Sequence, residues 1–350
     1  HAQGGDEELH RGGWCGCQCE FEEAWRAAGL CHEAGGGLWC WRGQRRSLKQ
    51  HPMQSTPDVL DAQTVEGHLY ALMREHGLAH VLIDRLGGHP LEEVLSSLPT
   101  AQRPPVFALR DPIFEETPDR SPALVALNFQ RDGDADLLRQ TVQIALDEAT
   151  ADRERTVCAW LFAQAVPEHL VAALSRRLAV RYPNGKSIYL RYFDPRVMPR
   201  MQTLLHPRAG STLLIPVQTW CALGRHQQWL RFDAPSPLPN AESVYVSPTL
   251  AAAIDRIELI NSAARMASAA GYSWLHDRDE ELDAALLTAH ASGLQAPEQQ
   301  LQYAFLAVAH GQAFTQHPSL REWIDLACET DLPLTEIVQS SKAFMPRSTS

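Results

Sequence analysis

The stretch from residue 58 to residue 233 alternates short apolar runs with amphipathic helical patterns. Apolar runs bounded by turn residues predict buried strands, and apolar positions at helical spacing predict helices packed against them. The predicted strands are 79–84, 123–127, 156–162, 187–193, 211–217 and 228–233, and the predicted helices are 58–76, 90–98, 134–149 and 167–178. This alternation favours an α/β (α+β) lobe built on a mixed sheet.

The pattern changes after a proline-rich break at 233–240. Beyond the break only helical patterns occur, separated by glycine and proline, and they predict helices at 248–270, 277–292, 297–315, 318–329 and 333–343. We therefore predict two folded parts, an α/β lobe at 53–240 and a smaller all-helical lobe at 241–350.

The first 52 residues differ in composition from the rest of the chain. They hold five of the eight cysteines and four of the nine tryptophans, and the first methionine is Met53. One interpretation is a non-native or disordered leader at 1–52. A second is a disulfide cluster, which needs an oxidising compartment. A third is a zinc module, although C-x-C-x-C is not the spacing that structural zinc sites favour, and its ligands would be Cys15, Cys17, Cys19, Cys31, His32 and Cys40.

Charge and hydropathy narrow the range of partners. The formal net charge of −11 argues against nucleic-acid binding, because phosphate contacts need a concentrated basic surface. No run of eighteen apolar residues is present, so no transmembrane helix is predicted, and no secretory signal pattern is visible. We expect a cytoplasmic protein with neither nucleic acid nor membrane as a partner.

Catalytic motifs are missing from the sequence. It contains no phosphate-binding G-x-x-x-x-G-K-[ST] loop, no G-x-G-x-x-G after a strand and no G-x-S-x-G elbow. Cys158 and Cys221 lie in apolar surroundings that predict buried structural thiols. His76, His80 and Asp84 have the spacing of metal ligands on one helix, but Gly77 interrupts that helix. We expect no catalytic residue, no cofactor and no metal ion, and hence no enzyme activity.

The most distinctive segment is 187–197, with the sequence SIYLRYFDPRV. Alternating apolar positions predict a strand, and Asp194 followed by Pro195 predicts the N-cap and first residue of a helix. Arg191, Asp194 and Arg196 would then cluster at a strand end. One interpretation is a strand-to-helix junction held by ion pairs. The alternative is an uncharacterised enzyme with a polar site at these three residues, since ligand sites of α/β proteins tend to lie at strand ends.

These residues resemble the signature of a known family, the adaptor chaperones of bacterial type VI secretion. The resemblance rests on 190–197 followed by Pro216 and Trp220, on 81–84, on 112–125 and on parts of the helical tail between 291 and 323. Two positions depart from the family pattern, Arg85 replacing a glycine and Ala123 a tyrosine. The family-motif residues, expected to be structural, are Arg191, Phe193, Asp194, Pro195, Arg196 and Trp220.

The resemblance implies a non-enzymatic role. Members of that family bind a cognate secreted effector in the cytoplasm and help to load it onto a spike protein, VgrG or PAAR. We therefore expect this chain to be an effector adaptor whose partners are that effector and the VgrG or PAAR spike protein.

Overall fold

A computed structural model describes residues 60–128, 130–151, 154–205, 213–234, 246–269, 278–330 and 332–341. The chain divides into two compact units, and the boundary falls between Asn261 and Ser262, inside a helix. The interpretations offered for 1–52 concern residues that lie outside this described part.

The first unit alternates helices and strands. Its elements, in chain order, are α1 (Ala62–His76), β1 (Leu78–Ile83), α2 (Glu92–Ser97), β2 (Val106–Ala108), β3 (Ala123–Asn128), α3 (Asp134–Thr150), β4 (Val157–Phe162), α4 (Pro167–Ser175), β5 (Ala179–Arg181), β6 (Ser187–Tyr189), α5 (Met198–Leu204), β7 (Thr219–Leu223), β8 (Trp229–Asp233) and the start of α6 (Pro248–Ala269).

Six of these strands form one sheet in the order β2-β3-β1-β4-β7-β8, and all five pairings are antiparallel. The predicted fold class is confirmed, but the expectation of a mixed sheet needs correction. Strands β3 and β4, which α3 connects, do run in the same direction because each is antiparallel to β1. However, β1 lies between them, so no parallel pair forms.

Each face of the sheet is covered by its own hydrophobic core. Helices α1 and α3 pack on one face, where their apolar stripes meet Val81, Val125 and Trp160 of the sheet. On the other face α4, α5, the segment at 190–197 and the first turns of α6 pack on Leu82, Leu161 and Trp220. Strand β4 contributes to both cores because alternate residues of a strand point to opposite faces.

Helix α1 shows how the sequence sets the start of the sheet. The Thr64 N–H donates to the Asp61 carboxylate across 2.7 Å, which caps the first turn. Gly77 ends the helix at φ +78°, and its N–H donates to the Met73 carbonyl across 2.7 Å. That left-handed conformation costs glycine little, so the chain turns at once into β1. The interruption of the helix predicted at Gly77 is confirmed.

Two predicted strands differ from those observed. The strand predicted at 187–193 is shortened to β6, which pairs with β5 in a separate two-stranded sheet. The strand predicted at 211–217 is not formed over its described part, where 213–216 make turns, and the next strand is β7. Pro216 has no N–H to donate to a sheet, and the run that does pair begins at Thr219.

The second unit is helical over its described residues. It comprises the end of α6 and then α7 (Asp279–Ala291), α8 (Pro297–His310), α9 (Gln312–Thr315), α10 (Leu320–Thr330) and α11 (Leu334–Ser340). The helix predicted at 297–315 is broken at Gly311, which adopts φ +55°. Buried glutamines join α8 to its neighbours: Gln299 Nε2 donates to the Ala327 carbonyl across 2.7 Å, and Gln302 Oε1 accepts from the Thr335 N–H at 3.2 Å.

Over the described residues, no helix is both long enough and apolar enough to cross a membrane.

Candidate functional site: a buried ionic cluster beside β1

Four charged side chains come together where the distinctive segment reaches the sheet. Asp84 directly follows β1, whereas Arg191, Asp194 and Arg196 lie in the chain between β6 and α5. We call these four residues the ionic cluster, and residues 187–197 the motif segment.

Aromatic and backbone contacts, as well as ion pairs, hold the motif segment in place. Tyr192 and Phe193 are fully buried, and the Tyr192 ring lies 6.2 Å from the ring of Trp220 on β7. The Tyr192 hydroxyl donates to the Leu174 carbonyl of α4 across 3.2 Å. The Leu190 N–H donates to the Leu178 carbonyl across 2.6 Å. The segment therefore leaves β6 and packs against the sheet, which brings its charged side chains to the end of β1.

Arg191 joins the motif segment to the sheet. Its Nη2 lies 2.6 Å from Asp84 Oδ2 and 3.6 Å from Asp194 Oδ2, so one guanidinium serves two carboxylates. On the sheet side, Asp84 Oδ1 accepts from the Leu86 N–H across 2.9 Å. Asp84 is thus held by its own loop and by Arg191 together.

Arg196 forms a bidentate ion pair with Asp194. Its Nη2 donates to Asp194 Oδ2 across 2.7 Å, and its Nε donates to Oδ1 across 3.0 Å. The Arg196 backbone N–H also donates to Asp194 Oδ1, at 2.9 Å. Parallel guanidinium–carboxylate bonds of this kind are among the stronger and more directional ion pairs in proteins.

The cap predicted at Asp194 needs correction. Helix α5 begins at Met198, and its N-cap residue, Val197, makes no side-chain cap bond. The Asp194 carboxylate instead closes the turn before the helix, through the Arg196 N–H, while the Asp194 carbonyl accepts from the Val197 and Met198 N–H groups. Pairing with the two arginines holds the carboxylate at this turn, three residues ahead of the observed N-cap, Val197.

The cluster is buried and its charges balance. The side chains of Asp84 and Asp194 are each 3 % exposed, that of Arg196 is 7 % exposed and that of Arg191 is 15 % exposed. Two carboxylates therefore face two guanidinium groups away from bulk water. Burying a charge is costly unless it is paired and hydrogen-bonded, and here each carboxylate has both kinds of partner.

The two carboxylates differ in acidity. Burial raises the pKa of Asp84, and the single facing guanidinium of Arg191 and the Leu86 N–H offset that effect only in part. Burial acts on Asp194 in the same sense, but the Arg196 and Arg191 guanidinium groups and the Arg196 N–H outweigh it. The pKa of Asp194 consequently lies well below its usual range. A carboxylate held ionised in this way is a poor proton acceptor.

Two core thiols also have their reactive form disfavoured: Cys158, on the same face of the sheet as the cluster, and Cys221, on the opposite face. Burial raises the pKa of Cys158 well above its ordinary value, and the carboxylates of Asp84 and Asp194 add to that shift. Burial raises the pKa of Cys221 to about 12. The thiolate is the nucleophilic form of cysteine, and burial disfavours that form at both positions.

The structure gathers the three charged residues that sequence analysis singled out, and places the other motif residues around them. Phe193 and Trp220 are fully buried in the core, and Pro195 lies in the turn that Asp194 closes. Asp84 was not predicted to join them, although it was noted as a strand end, as part of the family-like segment 81–84 and as a rejected metal ligand. The available signal was an aspartate directly after a fully apolar strand.

His76, His80 and Asp84, which have the sequence spacing of metal ligands, lie on different elements: His76 ends α1, His80 lies in β1 and Asp84 follows it. His80 lies inside β1 and is fully buried, and burial lowers its pKa. Among the residues that the structure describes, no three His, Cys, Asp or Glu side chains are grouped as a metal site would require.

The fold and the cluster define a class: a two-unit α/β and helical protein whose central motif is a buried, charge-balanced junction. A family model described as "Domain of unknown function (DUF4123)" matches residues 80–212. The matched stretch begins in β1 and contains all four residues of the ionic cluster. Neither the curated proteins nor the solved structures contain a match to this chain.

Proposed function

We propose that this protein is an adaptor chaperone of a type VI secretion system, which binds a cognate effector and helps to load it onto a VgrG or PAAR spike protein. The observation that carries the proposal is the match of residues 80–212 to DUF4123, a family associated with type VI effector adaptors. The resemblance in the helical tail lies outside the matched stretch and points to the same family. Binding would take place in the cytoplasm, before secretion.

The geometry of the ionic cluster supports a non-enzymatic role. A catalytic carboxylate or thiol needs access to substrate and a pKa near the working pH. Asp194 is buried and bound by two guanidinium groups, and Cys158 is buried with a raised pKa. We therefore propose that Arg191, Asp194 and Arg196 position the motif segment and perform no chemistry.

Co-expression with the effector and the spike protein encoded beside this chain tests the proposal. The expected result is a complex that survives affinity purification and gel filtration. Deletion of this chain should abolish delivery of that effector while leaving an unrelated effector of the same system unaffected. The unrelated effector is the control for general failure of secretion.

Two outcomes would contradict the adaptor role. One is the absence of co-purification with either partner, combined with unchanged effector delivery after deletion. The other is a turnover measured on the purified protein that Asp194→Asn abolishes while the melting temperature stays within the spread of exposed-site variants. The second outcome would establish the enzyme alternative at the cluster.

A further inference from the structure

The two edges of the six-stranded sheet differ in how open they are. Strand β2 has three residues and follows Pro104 and Pro105, and short strands next to proline resist pairing. Strand β8 has five residues, pairs with β7 without a bulge, and leaves Trp229, Leu230 and Phe232 only partly buried. Within the described part of the chain, β8 is the regular edge that remains available to another strand.

Backbone hydrogen bonds show which groups of β8 face outward. The Ala234 N–H donates to the Gln218 carbonyl across 2.8 Å, and the Gln228 carbonyl accepts from the Gly224 N–H at the same distance. Even-numbered positions of this strand therefore point their backbone groups towards β7. Because these groups alternate along an antiparallel strand, those of Trp229, Arg231 and Asp233 point away from the sheet.

The charges on this edge are self-complementary. Arg231 and Asp233 lie two residues apart on one face, half-exposed, with Arg231 Nε 2.9 Å from Asp233 Oδ2. If two antiparallel copies of β8 pair about Phe232, Arg231 of each copy lies opposite Asp233 of the other. Both residues have outward-facing backbone groups, so each such pair also exchanges two backbone hydrogen bonds. Phe232 then faces its own counterpart, an aromatic pair of the kind that stabilises sheets.

We propose that β8 pairs with β8 of a second copy of this chain, in the register centred on Phe232, which joins the two sheets into one. The competing register centred on Arg231 brings Trp229 into the ladder but sets the two Arg231 side chains directly opposite each other. Like charges directly opposite destabilise a strand pair. Between these two registers, the charge pattern therefore favours the one centred on Phe232.

Helix α1 leaves part of its face of β8 uncovered. A groove of about 230 Å³ lies between α1 and β8, lined by His68, Leu72 and Glu75 on the helix and by Trp229 and Arg231 on the strand. Helix α1 therefore does not close over this face of the edge. A five-residue pairing is small for a protein interface, so the dimer is weak and depends on concentration.

Sedimentation velocity of the full chain over a concentration series tests the pairing. The wild type should shift from monomer to dimer as concentration rises. Arg231→Asp and Asp233→Arg should each weaken association about tenfold or more, because each replaces two attractive cross-strand pairs by two repulsive ones. An equimolar mixture of the two variants should form a heterodimer at wild-type strength, since opposite charges again face each other.

The double variant R231D/D233R should also recover the dimer in the Phe232 register. Arg321→Asp serves as the matched control, because Arg321 forms an exposed ion pair with Asp325 in α10, and it should leave association unchanged. The proposal is overturned if the wild type stays monomeric up to about 1 mM, the weak end of specific binding. It is equally overturned if Arg231→Asp dimerises like wild type, or if neither the mixture nor the double variant recovers.

Discussion

At the residue scale, the ionic cluster depends on the carboxylate of Asp84, which is distant in sequence from the other three members. Asp84 supplies the ion pair between the end of β1 and the motif segment, at 2.6 Å from Arg191. Arg191 makes a second, longer contact with Asp194 at 3.6 Å. Asp194 already accepts two side-chain hydrogen bonds from Arg196. Removing Asp84 would therefore leave Arg191 buried beside a carboxylate that another arginine already holds.

We expect Asp84→Ala to lower the free energy of unfolding by about 3–5 kcal/mol, the cost of leaving one partner of a buried pair uncompensated. Urea denaturation followed by circular dichroism measures the change. Asp136→Ala is the matched control, because Asp136 pairs with Arg139 at 2.6 Å on the exposed surface of α3, and exposed pairs contribute little. Equal, small losses in the two variants would contradict a structural role for the cluster.

The lowered pKa of Asp194 sets the sign of its effect on pH stability. Its folded pKa lies below the unfolded value near 3.8, so its stabilising contribution is fully present above that value and is lost as pH falls through the folded pKa. The stability advantage of the wild type over Asp194→Asn should therefore stay constant from pH 7 to about pH 4 and decrease below it. Urea denaturation of both proteins at stepped pH measures this difference.

An advantage that already shrinks between pH 7 and pH 5 would mean that Asp194 titrates with a raised pKa. That result would contradict the pairing described here. It would also fit a proton-transfer role better than a structural one.

At the element scale, α1 contains one glycine and ends at another, and the two require different backbone conformations. Gly67 lies in the helix on its exposed side, and Gly77 ends the helix at φ +78°, while an added Cβ meets nothing within 4 Å at either position. Gly67→Ala should stabilise the protein by about 0.5–1 kcal/mol through helix propensity. Gly77→Ala should destabilise it by about 1–2 kcal/mol, since alanine pays a steric penalty in the left-handed conformation.

Thermal and urea unfolding of the two alanine variants, side by side, measure these opposite signs. Because neither position has a steric neighbour, the difference between them isolates backbone conformation. The same sign in both variants would show that Gly77 does not end α1 as described.

The elements that could be predicted are those with a strong local pattern. Strands β1, β3 and β4 and helices α1 and α3 lie within a few residues of their predicted positions, because their apolar runs or stripes face the two cores directly. Strands β2 and β5 have three residues each and carry too short a pattern to be recognised. The strand predicted to 193 stops at Tyr189, since tertiary contacts of Leu190 and Tyr192 outweigh β propensity.

At the scale of the whole molecule, the order of the strands determines which members of the ionic cluster can be predicted from the sequence. The spacing of Arg191, Asp194 and Arg196 was enough to predict that they lie together. An aspartate after an apolar strand marked Asp84 as unusual, but its pairing with Arg191 follows from β1 lying beside β4, against the core that the motif segment joins. The apolar period of a strand can be read from its sequence, but the strands that lie beside it cannot. Site residues that are distant in the chain are therefore difficult to predict.

The central position of β1 has a consequence for synthesis on the ribosome. Strand β1 is synthesised before both of its neighbours in the sheet, β3 and β4. The ion pair of Asp84, at its end, can form only after Arg191 has been made. Until β3 and then β4 have been made, this apolar strand lacks its partners, a state that exposes a nascent chain to aggregation. Early protection of this strand by α1, which precedes it directly and packs on its apolar face, would shorten the time during which it is exposed.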